Sequence, residues 1–474
     1  MHASLGVEAK VSEVKPEKPE DFGYGCIIDA GSSGSRIYVY KWPIRSFSSL
    51  PIPLTQVYQT ALFVEKVRPG LSSFLNNPEG AGPVIEKLLA DAKPHIPKGI
   101  SLSTVPVYLG ATAGMRVLDP KAAEKIFEAI RNTLRSSKFL FRDEWARIIS
   151  GEEEGTYSWI AANYLKGAFE QGAQKTTYGA LDLGGASTQI TFIPEESILA
   201  NMFPIRMSEH VNYQVYTHSY LYYGVNEAIA RFNNLLLKET GGSRFVDNPC
   251  YPKGYNKGGF NGTSDWDSCL RKTSDLFDFK SQCFQSDGEQ QRCSFNGVYQ
   301  PAIGNKKKFI AMSAFFYTWS FLKLKTGADS DNLNTLVNTA QVVCKKTFEE
   351  QKQSNPSFNQ QNQCFNVAYV YHLLHEGYHM DAEDTPLEVY TSVNGAEVTW
   401  ALGAIMLEVN FLGFKFQNGK LYEILFYALF GVICIGVAIA LAFRFRKKNS
   451  RRRTSLDETL LSEDVSLSNN SDIL

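Results

Sequence analysis

The sequence predicts an α/β protein with one membrane-spanning helix near its C-terminus. Strand-like and helix-like stretches alternate along most of the chain, which is typical of α/β architecture. A turn rich in glycine and serine between two apolar strands occurs twice, after Asp29 and again after Asp182. Residues 424–443 form a long run without a charged residue. These features predict a folded α/β part followed by a membrane segment.

The overall composition is that of an ordinary folded protein. Hydrophobic residues make up 44% and charged residues 20% of the 474 residues, which excludes wholesale disorder, collagen and coiled coil. The 48 Lys and Arg balance the 49 Asp and Glu to a net charge of −1. This balance leaves no electrostatic footprint for nucleic acid, so we expect no nucleic-acid partner. The chain length predicts about two or three domains.

The elements follow one another in a regular order. Apolar strands at 26–28 and 37–40 flank the first turn, and strands at 178–181 and 190–193 flank the second. Between the two turns, the patterns predict a helix at 84–92, a strand at 105–109, and helices at 121–134 and 157–165. Helical patterns resume at 309–324, 335–351, 364–375 and 398–407.

A membrane segment is predicted near the C-terminus of the chain. The uncharged run at 424–443 is long enough to cross a bilayer core of about 30 Å, and the basic cluster after it indicates a cytoplasmic side. We predict a transmembrane helix at 424–443, a cytoplasmic tail at 444–474 and an extracellular or luminal location for the rest, at the cell surface or in Golgi or endosomal membranes. We predict that residues 1–20 form a disordered linker, and we find no signal peptide in them. We therefore interpret the sequence as lacking an N-terminal membrane anchor.

Six cysteines are concentrated in one middle segment, which agrees with that location. In a large non-cytosolic domain they predict three disulfides, whose pairing the spacing leaves open. They are Cys250, Cys269, Cys283, Cys293, Cys344 and Cys364. The same segment contains a glycosylation sequon at Asn261.

The two turns read DAGSSGSR at 29–36 and DLGGASTQ at 182–189. Backbone amides in such turns can point into a concavity and bind phosphate oxygens, while the Asp at the strand end can hold a cation beside them. One such turn is typical of an ordinary glycine-rich hairpin, but two facing each other would hold a phosphate chain from both sides. Each leads into a strand and lacks Gly-Lys-Ser/Thr, unlike a Walker loop or a Rossmann fingerprint.

Two further segments lie between the turns. GATAGMR at 110–116 supplies a hydroxyl, Thr112, and a cation, Arg116, at the end of a predicted strand. GEEEGTYSW at 151–159 places carboxylates at a helix start, where the helix dipole favours negative charge. A solvated first turn would explain these carboxylates, whereas their position between two phosphate loops favours a general base for water.

These motifs resemble, in the same order, the conserved regions of the ecto-nucleoside triphosphate diphosphohydrolases, or apyrases. The set is DAGSSGSRIYVYKW, GATAGMR, GEEEGTYSW, DLGGASTQ and EGYH followed by VTWALGA, and it covers about residues 24–407. The resemblance implies a two-lobed, duplicated core like those of actin, hexokinase and the heat-shock ATPases. We expect lobe I at 21–150, lobe II at 151–390 and a C-terminal helix at 391–415 that returns to lobe I.

The resemblance also implies a role for individual residues. Asp29 and Asp182 would hold Ca²⁺ or Mg²⁺, Glu154 would be the general base, Gln189 would orient the attacking water, and Tyr317 would stack on the nucleobase. The substrate-binding residues would be Ser33, Gly34, Ser35, Arg36, Thr112, Gly185, Ala186 and Ser187. The implied disulfides are Cys250–Cys283, Cys269–Cys293 and Cys344–Cys364, whereas purely local pairing would differ in the first two.

The predicted function is that of a membrane-anchored nucleotidase. It would remove terminal phosphates from nucleoside triphosphates, diphosphates or both by water attack assisted by a divalent cation. One alternative is hydrolysis of polyphosphate or guanosine polyphosphates on the same fold, which the membrane segment, the cysteines and Tyr317 disfavour. Another is a catalytically silent nucleotide-binding ectodomain, which the presence of Glu154 and both aspartates disfavours.

Overall fold

Two mixed β-sheets organise the structure, a computed structural model of the chain. It describes residues 18–44, 56–169, 177–207, 212–241, 245–281, 283, 285–286, 289–290, 293–304 and 307–411. All of these residues belong to one compact unit. The predicted α/β class is confirmed.

The first sheet has the strand order β3-β2-β1-β4-β5. Its strands are β1 (Phe22–Gly31), β2 (Gly34–Pro43), β3 (Phe63–Val67), β4 (Val107–Ala111) and β5 (Ala146–Ile148). β1 runs antiparallel to β2 and parallel to β4. The central strands are largely buried because helices cover the sheet, and this explains their near-continuous apolar sequence.

The second sheet repeats this arrangement with one added strand. The strands after residue 178 are β6 (Gly179–Leu183), β7 (Ser187–Phe192), β8 (Met202–Arg206), β9 (Asn212–Leu221), β10 (Val246–Asn248), β11 (Asn256–Lys257), β12 (Phe260–Gly262), β13 (Gln285–Ser286), β14 (Glu289–Gln290), β15 (Phe309–Ser313), β16 (Leu387–Val389), β17 (Ser392–Val393) and β18 (Ala396–Glu397). The order of this sheet is β16-β15-β6-β7-β9-β8. β6, β7, β9, β15 and β16 therefore correspond in order and direction to β1, β2, β3, β4 and β5.

Helices cover the sheets and connect their strands. They are α1 (Ala81–Ala92), α2 (Ala113–Arg116), α3 (Pro120–Ser136), α4 (Gly151–Leu165), α5 (Val225–Glu239), α6 (Trp266–Thr273), α7 (Ala314–Phe321), α8 (Leu333–Val343), α9 (Phe348–Ser354), α10 (Gln360–His372) and α11 (Trp400–Phe411). A π-helical turn, Leu373–Gly377, follows α10. Short 3₁₀ turns lie at Pro19–Asp21, Leu71–Phe74, Pro78–Gly80, Lys93–His95, Leu102–Thr104, Asp143–Trp145 and Ser274–Leu276.

Helices α4 and α11 pack against each other and contribute to a core shared by both sheets. This core includes Ile27 and Tyr38 of the first sheet, Ala180 and Ile310 of the second, and Trp159 and Leu402 of the two helices. The N-terminus of α4 is fixed by a capping box, in which Ser150 accepts from the Glu153 amide and Glu153 accepts from the Ser150 amide. The first turn of α4 is thus held in a defined position.

Two helix predictions were wrong in part. Residues 309–313 form strand β15, and the helix begins only at Ala314. A short apolar run fits a buried strand and a buried helix equally well, and here pairing with β6 and β16 decides for the strand. The pattern at 335–351 covers two helices, α8 and α9, because the chain leaves the helix between them and Thr347 caps α9.

Two of the implied disulfide pairings were also wrong. The structure joins Cys250 to Cys269 and Cys283 to Cys293, with Cα–Cα distances of 4.7 and 5.6 Å. Helix α6 carries Cys269 back against Cys250, which also lies 3.9 Å from Thr273 Oγ1 at the end of the same helix. Local pairing therefore holds in this segment. The third implied pairing, Cys344–Cys364, is confirmed.

Several predictions fall outside the part of the chain that the structure describes. They are the transmembrane helix at 424–443, the tail at 444–474 and nearly all of the linker at 1–20. Within the described ranges, none of the helices combines the length and apolar character needed to span a membrane.

Candidate active site

The first glycine- and serine-rich turn is a tight hairpin between β1 and β2. Gly31 pairs with Gly34, so Ser32 and Ser33 form the turn itself. Asp29 lies two residues before the end of β1 and pairs with Arg36 of β2. Desolvation by the surrounding protein raises the pKa of Asp29 to about 7, against the opposing effect of Arg36. The Trp400 side chain, from the first residue of α11, also opposes the rise of the Asp29 pKa.

The second turn joins β6 to β7 in the same way. Asp182 pairs with Gln189, as Asp29 pairs with Arg36. Burial raises the pKa of Asp182, although the side chains of Ser313 and Ser158 oppose the rise. Ser158 Oγ donates a hydrogen bond to Asp182 Oδ2 at 3.3 Å. The two turns approach each other closely, because a Cβ atom on Gly185 would lie 2.4 Å from Ser32 Oγ.

Helix α5 orients the second turn. The amide of Val225 donates to the Gly184 carbonyl at 2.9 Å, and the amides of Asn226 and Glu227 donate to the Gly185 carbonyl at 2.9 and 3.3 Å. The first turn of α5 thus uses its free N–H groups on the carbonyl oxygens of the loop. The carbonyl side of the second turn is thus held by the first turn of α5.

A cleft of about 180 Å³ lies between the two turns. Ten of the predicted site residues line it: Asp29, Ser33, Gly34, Arg36, Thr112, Glu154, Asp182, Gly185, Ala186 and Ser187. These residues come from both sheets, from α4 and from the segment before α2. The structure therefore brings together four motifs that are far apart in the sequence.

The three glutamates at the start of α4 have different environments. Glu153 caps the helix and pairs with Arg147 at 2.7 Å, outside the cleft. Glu154 is buried, with 7% of its surface exposed, and lines the cleft. Its Oε2 accepts hydrogen bonds from Arg116 Nη2 at 2.5 Å and from Gln189 Nε2 at 3.3 Å. Glu154 alone of the three is therefore placed for chemistry.

The hydrogen bonds to Glu154 belong to a network that reaches the second turn. Arg116 Nη2 also donates to Ser187 Oγ at 3.2 Å. Gln189 Nε2 donates to Ser187 Oγ at 2.7 Å and to Ser219 Oγ at 2.9 Å. Both donors hold the same carboxylate oxygen, Oε2, which leaves Oε1 as the oxygen that can receive a proton. Burial raises the pKa of Glu154 to about 8, while Arg116 opposes the shift.

Three predicted site residues do not line the cleft. Ser35 is buried on the opposite face of β2, because successive side chains of a strand alternate and Arg36 faces the cleft. The expectation that Ser35 lines the phosphate pocket is therefore corrected, because its side chain lies away from the cleft. Gln189 does not line the cleft itself, but its side chain donates hydrogen bonds to Ser187 and Glu154, which do. Tyr317 lies about one helical turn beyond Ser313 on α7, with 55% of its surface exposed.

Seven residues that line the cleft were not among the predicted site residues. They are Gly31, Ser32, Lys66, Ala113, Gly184, Ser313 and Trp400. Trp400 belongs to the VTWALGA motif, which supported the family resemblance, but no role was assigned to this residue. Ser313 has a positive φ of 61°, rare for a serine and a mark of local strain that clusters at functional sites. Lys66 is positioned only by the pairing of β3 with β2, which no local motif shows.

Comparison with known proteins agrees with this geometry. A model of the GDA1/CD39 (nucleoside phosphatase) family matches residues 15–419. The chain belongs to this family. The resemblance drawn from the sequence motifs is thereby confirmed.

Relatives within the GDA1/CD39 family cover most of the chain. Human ectonucleoside triphosphate diphosphohydrolase 3 is 34% identical, covering 83% of this chain and 79% of its own. Probable apyrase 6 of Arabidopsis thaliana is 33% identical, covering 81% of this chain and 72% of its own. A crystal structure of nucleoside triphosphate hydrolases from Neospora caninum superposes with a TM-score of 0.61 at 17% identity, covering 82% of this chain and 93% of that one. At this identity the structure supports the fold alone.

Proposed function

We propose that this GDA1/CD39 family member hydrolyses the terminal phosphate of nucleoside triphosphates and diphosphates, with water as the nucleophile. The observation that carries the proposal is the buried Glu154 between two facing phosphate-type turns, with one carboxylate oxygen held by Arg116 and Gln189. Phosphoryl transfer depends on positioning and charge neutralisation more than on covalent catalysis. The two turns would position the phosphate chain and neutralise its charge, and Glu154 would position the attacking water and take its proton.

Asp29 and Asp182 would hold the divalent cation, Ca²⁺ or Mg²⁺. Desolvation raises the pKa of both carboxyl groups, and a nearby cation would offset the free-energy cost of ionising them. The described residues contain no cluster of three or more His, Cys, Asp or Glu side chains suited to a metal. Two carboxylates fit a hard cation that keeps part of its water shell, as Mg²⁺ does. When bound, such a cation neutralises charge on the phosphate oxygens.

The remaining residues act on water and phosphate directly. Glu154 takes the proton of the attacking water, and Gln189 fixes the carboxylate and Ser187 beside it. The amides of the two turns donate to phosphate oxygens, and Thr112 adds a hydroxyl from the end of β4. These donors are fixed by sheet pairing and by α5 before substrate arrives, and such preorganisation is what stabilises a charged transition state.

Tyr317 would stack on the nucleobase. It lies one turn along α7 from the cleft residue Ser313, and its ring is exposed rather than packed in the core. Phe316 packs against it in a T-shaped arrangement, with the ring centroids 5.8 Å apart and the rings inclined by 76°. This exposed aromatic favours nucleotides over polyphosphate as substrates.

The proposal predicts release of phosphate from nucleotides only when a divalent cation is present. ATP, ADP, GDP, UDP and a polyphosphate would be incubated with the full chain in Ca²⁺, Mg²⁺ or EDTA, and phosphate would be measured. We expect hydrolysis of at least one nucleotide with either cation and none in EDTA. Full turnover in EDTA would exclude the cation role, and hydrolysis of polyphosphate alone would favour the alternative substrate class.

The chain would act outside the cytoplasm, anchored by residues 424–443. Three disulfides support an extracellular or luminal catalytic part, because such bonds persist in oxidising compartments. Asn261 is exposed on β12 and would carry a glycan. In animal cells we expect endoglycosidase treatment to lower the apparent mass of the wild type but not of Asn261→Gln. An unglycosylated protein in the soluble cytosolic fraction would contradict this location.

A further inference from the structure

Each sheet carries a row of three polar residues at the level of the cleft. In the first sheet, Asp29 pairs with Arg36 across β1 and β2, and Arg36 pairs with Lys66 across β2 and β3. Residues directly opposite on neighbouring antiparallel strands share one face of a sheet. All three residues line the cleft, so this face of the first sheet forms one of its walls.

The second sheet carries the corresponding row with different chemistry. Asp182 pairs with Gln189, and Gln189 pairs with Ser219. Because β6, β7 and β9 correspond to β1, β2 and β3, Gln189 takes the place of Arg36, and Ser219 takes the place of Lys66. The two rows thus share their aspartate and differ in the rest. The two residues beside the aspartate are cationic in the first row and uncharged in the second.

The row of the second sheet, Asp182, Gln189 and Ser219, lies next to the proposed general base, Glu154. Gln189 donates to Ser219 at 2.9 Å and to Glu154 at 3.3 Å. The water that Glu154 would activate therefore lies nearer to the second sheet than to the first. A terminal phosphoryl group in reach of that water must lie toward the second turn. The remainder of the phosphate chain then extends toward the first turn and its cationic row.

The two cations of the first row differ in their partners. Arg36 Nη1 lies 2.8 Å from Glu397 Oε1, so a carboxylate already balances its charge. Across the described ranges, no carboxylate or other group pairs with the Lys66 ammonium, which is exposed at the cleft. Partial desolvation is the main cause that lowers the pKa of Lys66, and the charges of Arg36 and Arg68 add to it against the opposing charges of Asp29 and Glu397. The Lys66 ammonium is therefore available to pair with an anion in the cleft.

We propose that Lys66 binds the leaving phosphate of the substrate, an inference that rests on the hydrolase function proposed above. As the water oxygen bonds to the terminal phosphorus, the bond from that phosphorus to the bridging oxygen breaks. The bridging oxygen keeps the electron pair, and the proton of the water passes to Glu154. Negative charge therefore grows on the leaving phosphate, where the Lys66 ammonium donates a hydrogen bond. Such a contact is stronger in the transition state than in the ground state and raises kcat.

The test compares Lys66→Gln with Lys66→Arg and with Lys98→Gln, which removes the same charge from an exposed site away from the cleft. Phosphate release from ATP and ADP by the full chain is measured over a range of substrate concentrations. We expect Lys66→Gln to lower kcat about tenfold to a hundredfold for both substrates, with KM changed less than about threefold. Lys66→Arg keeps the positive charge and should retain kcat within about fivefold, and Lys98→Gln should match the wild type.

Several results would overturn the inference. A kcat near that of the wild type in Lys66→Gln, or a rise in KM alone, would remove the leaving-phosphate role and leave the hydrolase function intact. Equal losses in Lys66→Gln and Lys66→Arg at an unchanged melting temperature would show that positive charge is not what matters. A wild-type chain that releases no phosphate from any nucleotide would refute the proposed function itself, and this inference with it.

Discussion

Glu154→Gln is expected to lower kcat by a factor of about 10²–10⁴ while nucleotide affinity changes little. The substitution keeps the volume of the side chain and can still accept from Arg116 and Gln189, but it cannot take the proton of water. In the proposed function the two turns and Tyr317 bind the nucleotide, and the substitution changes none of their residues. Turnover, nucleotide affinity and melting temperature would be measured on the same preparation.

The neighbouring glutamates are matched controls. Glu153→Gln removes a capping carboxylate that pairs with Arg147 at 2.7 Å, so it should lower the melting temperature and retain turnover. Glu152→Gln should be mild in both measurements, because Glu152 does not line the cleft. If folded Glu154→Gln turned over at the rate of the wild type, or if all three variants lost the same modest stability, the general-base role would be untenable.

The pH dependence gives an independent check of the same residue. The general base must be ionised, and burial raises the pKa of Glu154 to about 8. The ionised fraction falls about tenfold for each pH unit below that value, so kcat/KM should rise with pH and level off above it. A divalent cation beside Asp29 and Asp182 favours the ionised form, so the rise should move to lower pH when the cation saturates. Residual activity of Glu154→Gln should lack this rise.

The sequence carried the local parts of the site well. Two turns with the same pattern predicted duplicated hairpins, and the family resemblance implied Glu154 among three adjacent glutamates as the general base. These features depend on residues close together in the chain, where glycine, serine and aspartate determine the backbone that can form. The structure added the reason for the choice of Glu154: its neighbour Glu153 is committed to capping α4.

The features of the site and of the fold that the sequence could not predict depend on contacts between segments that are distant in the chain. Lys66 reaches the cleft because β3 pairs with β2, and strand pairing at long range leaves no local pattern. Ser35 was assigned to the cleft because it belongs to the motif, whereas the alternation of strand side chains turns it away. The pairing of Cys250 with Cys269 depends on how α6 folds back, which spacing alone does not determine.

Gly224→Ala should damage the enzyme strongly although Gly224 does not line the cleft. Gly224 precedes α5 with φ −74° and ψ 160°, angles that alanine adopts freely, so the effect is purely steric. An added Cβ would lie 2.3 Å from the Ala186 nitrogen and 2.5 Å from the Ser187 nitrogen, both backbone atoms of the second turn. The turn and the first turn of α5 cannot keep their present contact around that methyl group.

The expected result for Gly224→Ala is a loss of about 10²-fold or more in kcat/KM, since displacing a phosphate-binding turn by about 1 Å has an effect of that size. The melting temperature should also fall, because the Gly184 and Gly185 carbonyls lose their α5 donors. Gly304→Ala is the matched control: its Cβ would meet only the movable end of the exposed Glu195 side chain, at 2.5 Å. A folded Gly224→Ala enzyme with the activity of the Gly304→Ala control would show that α5 does not set the geometry of the second turn. A specific loss would mean that the catalytic geometry is set in part by a helix that contributes no side chain to the cleft.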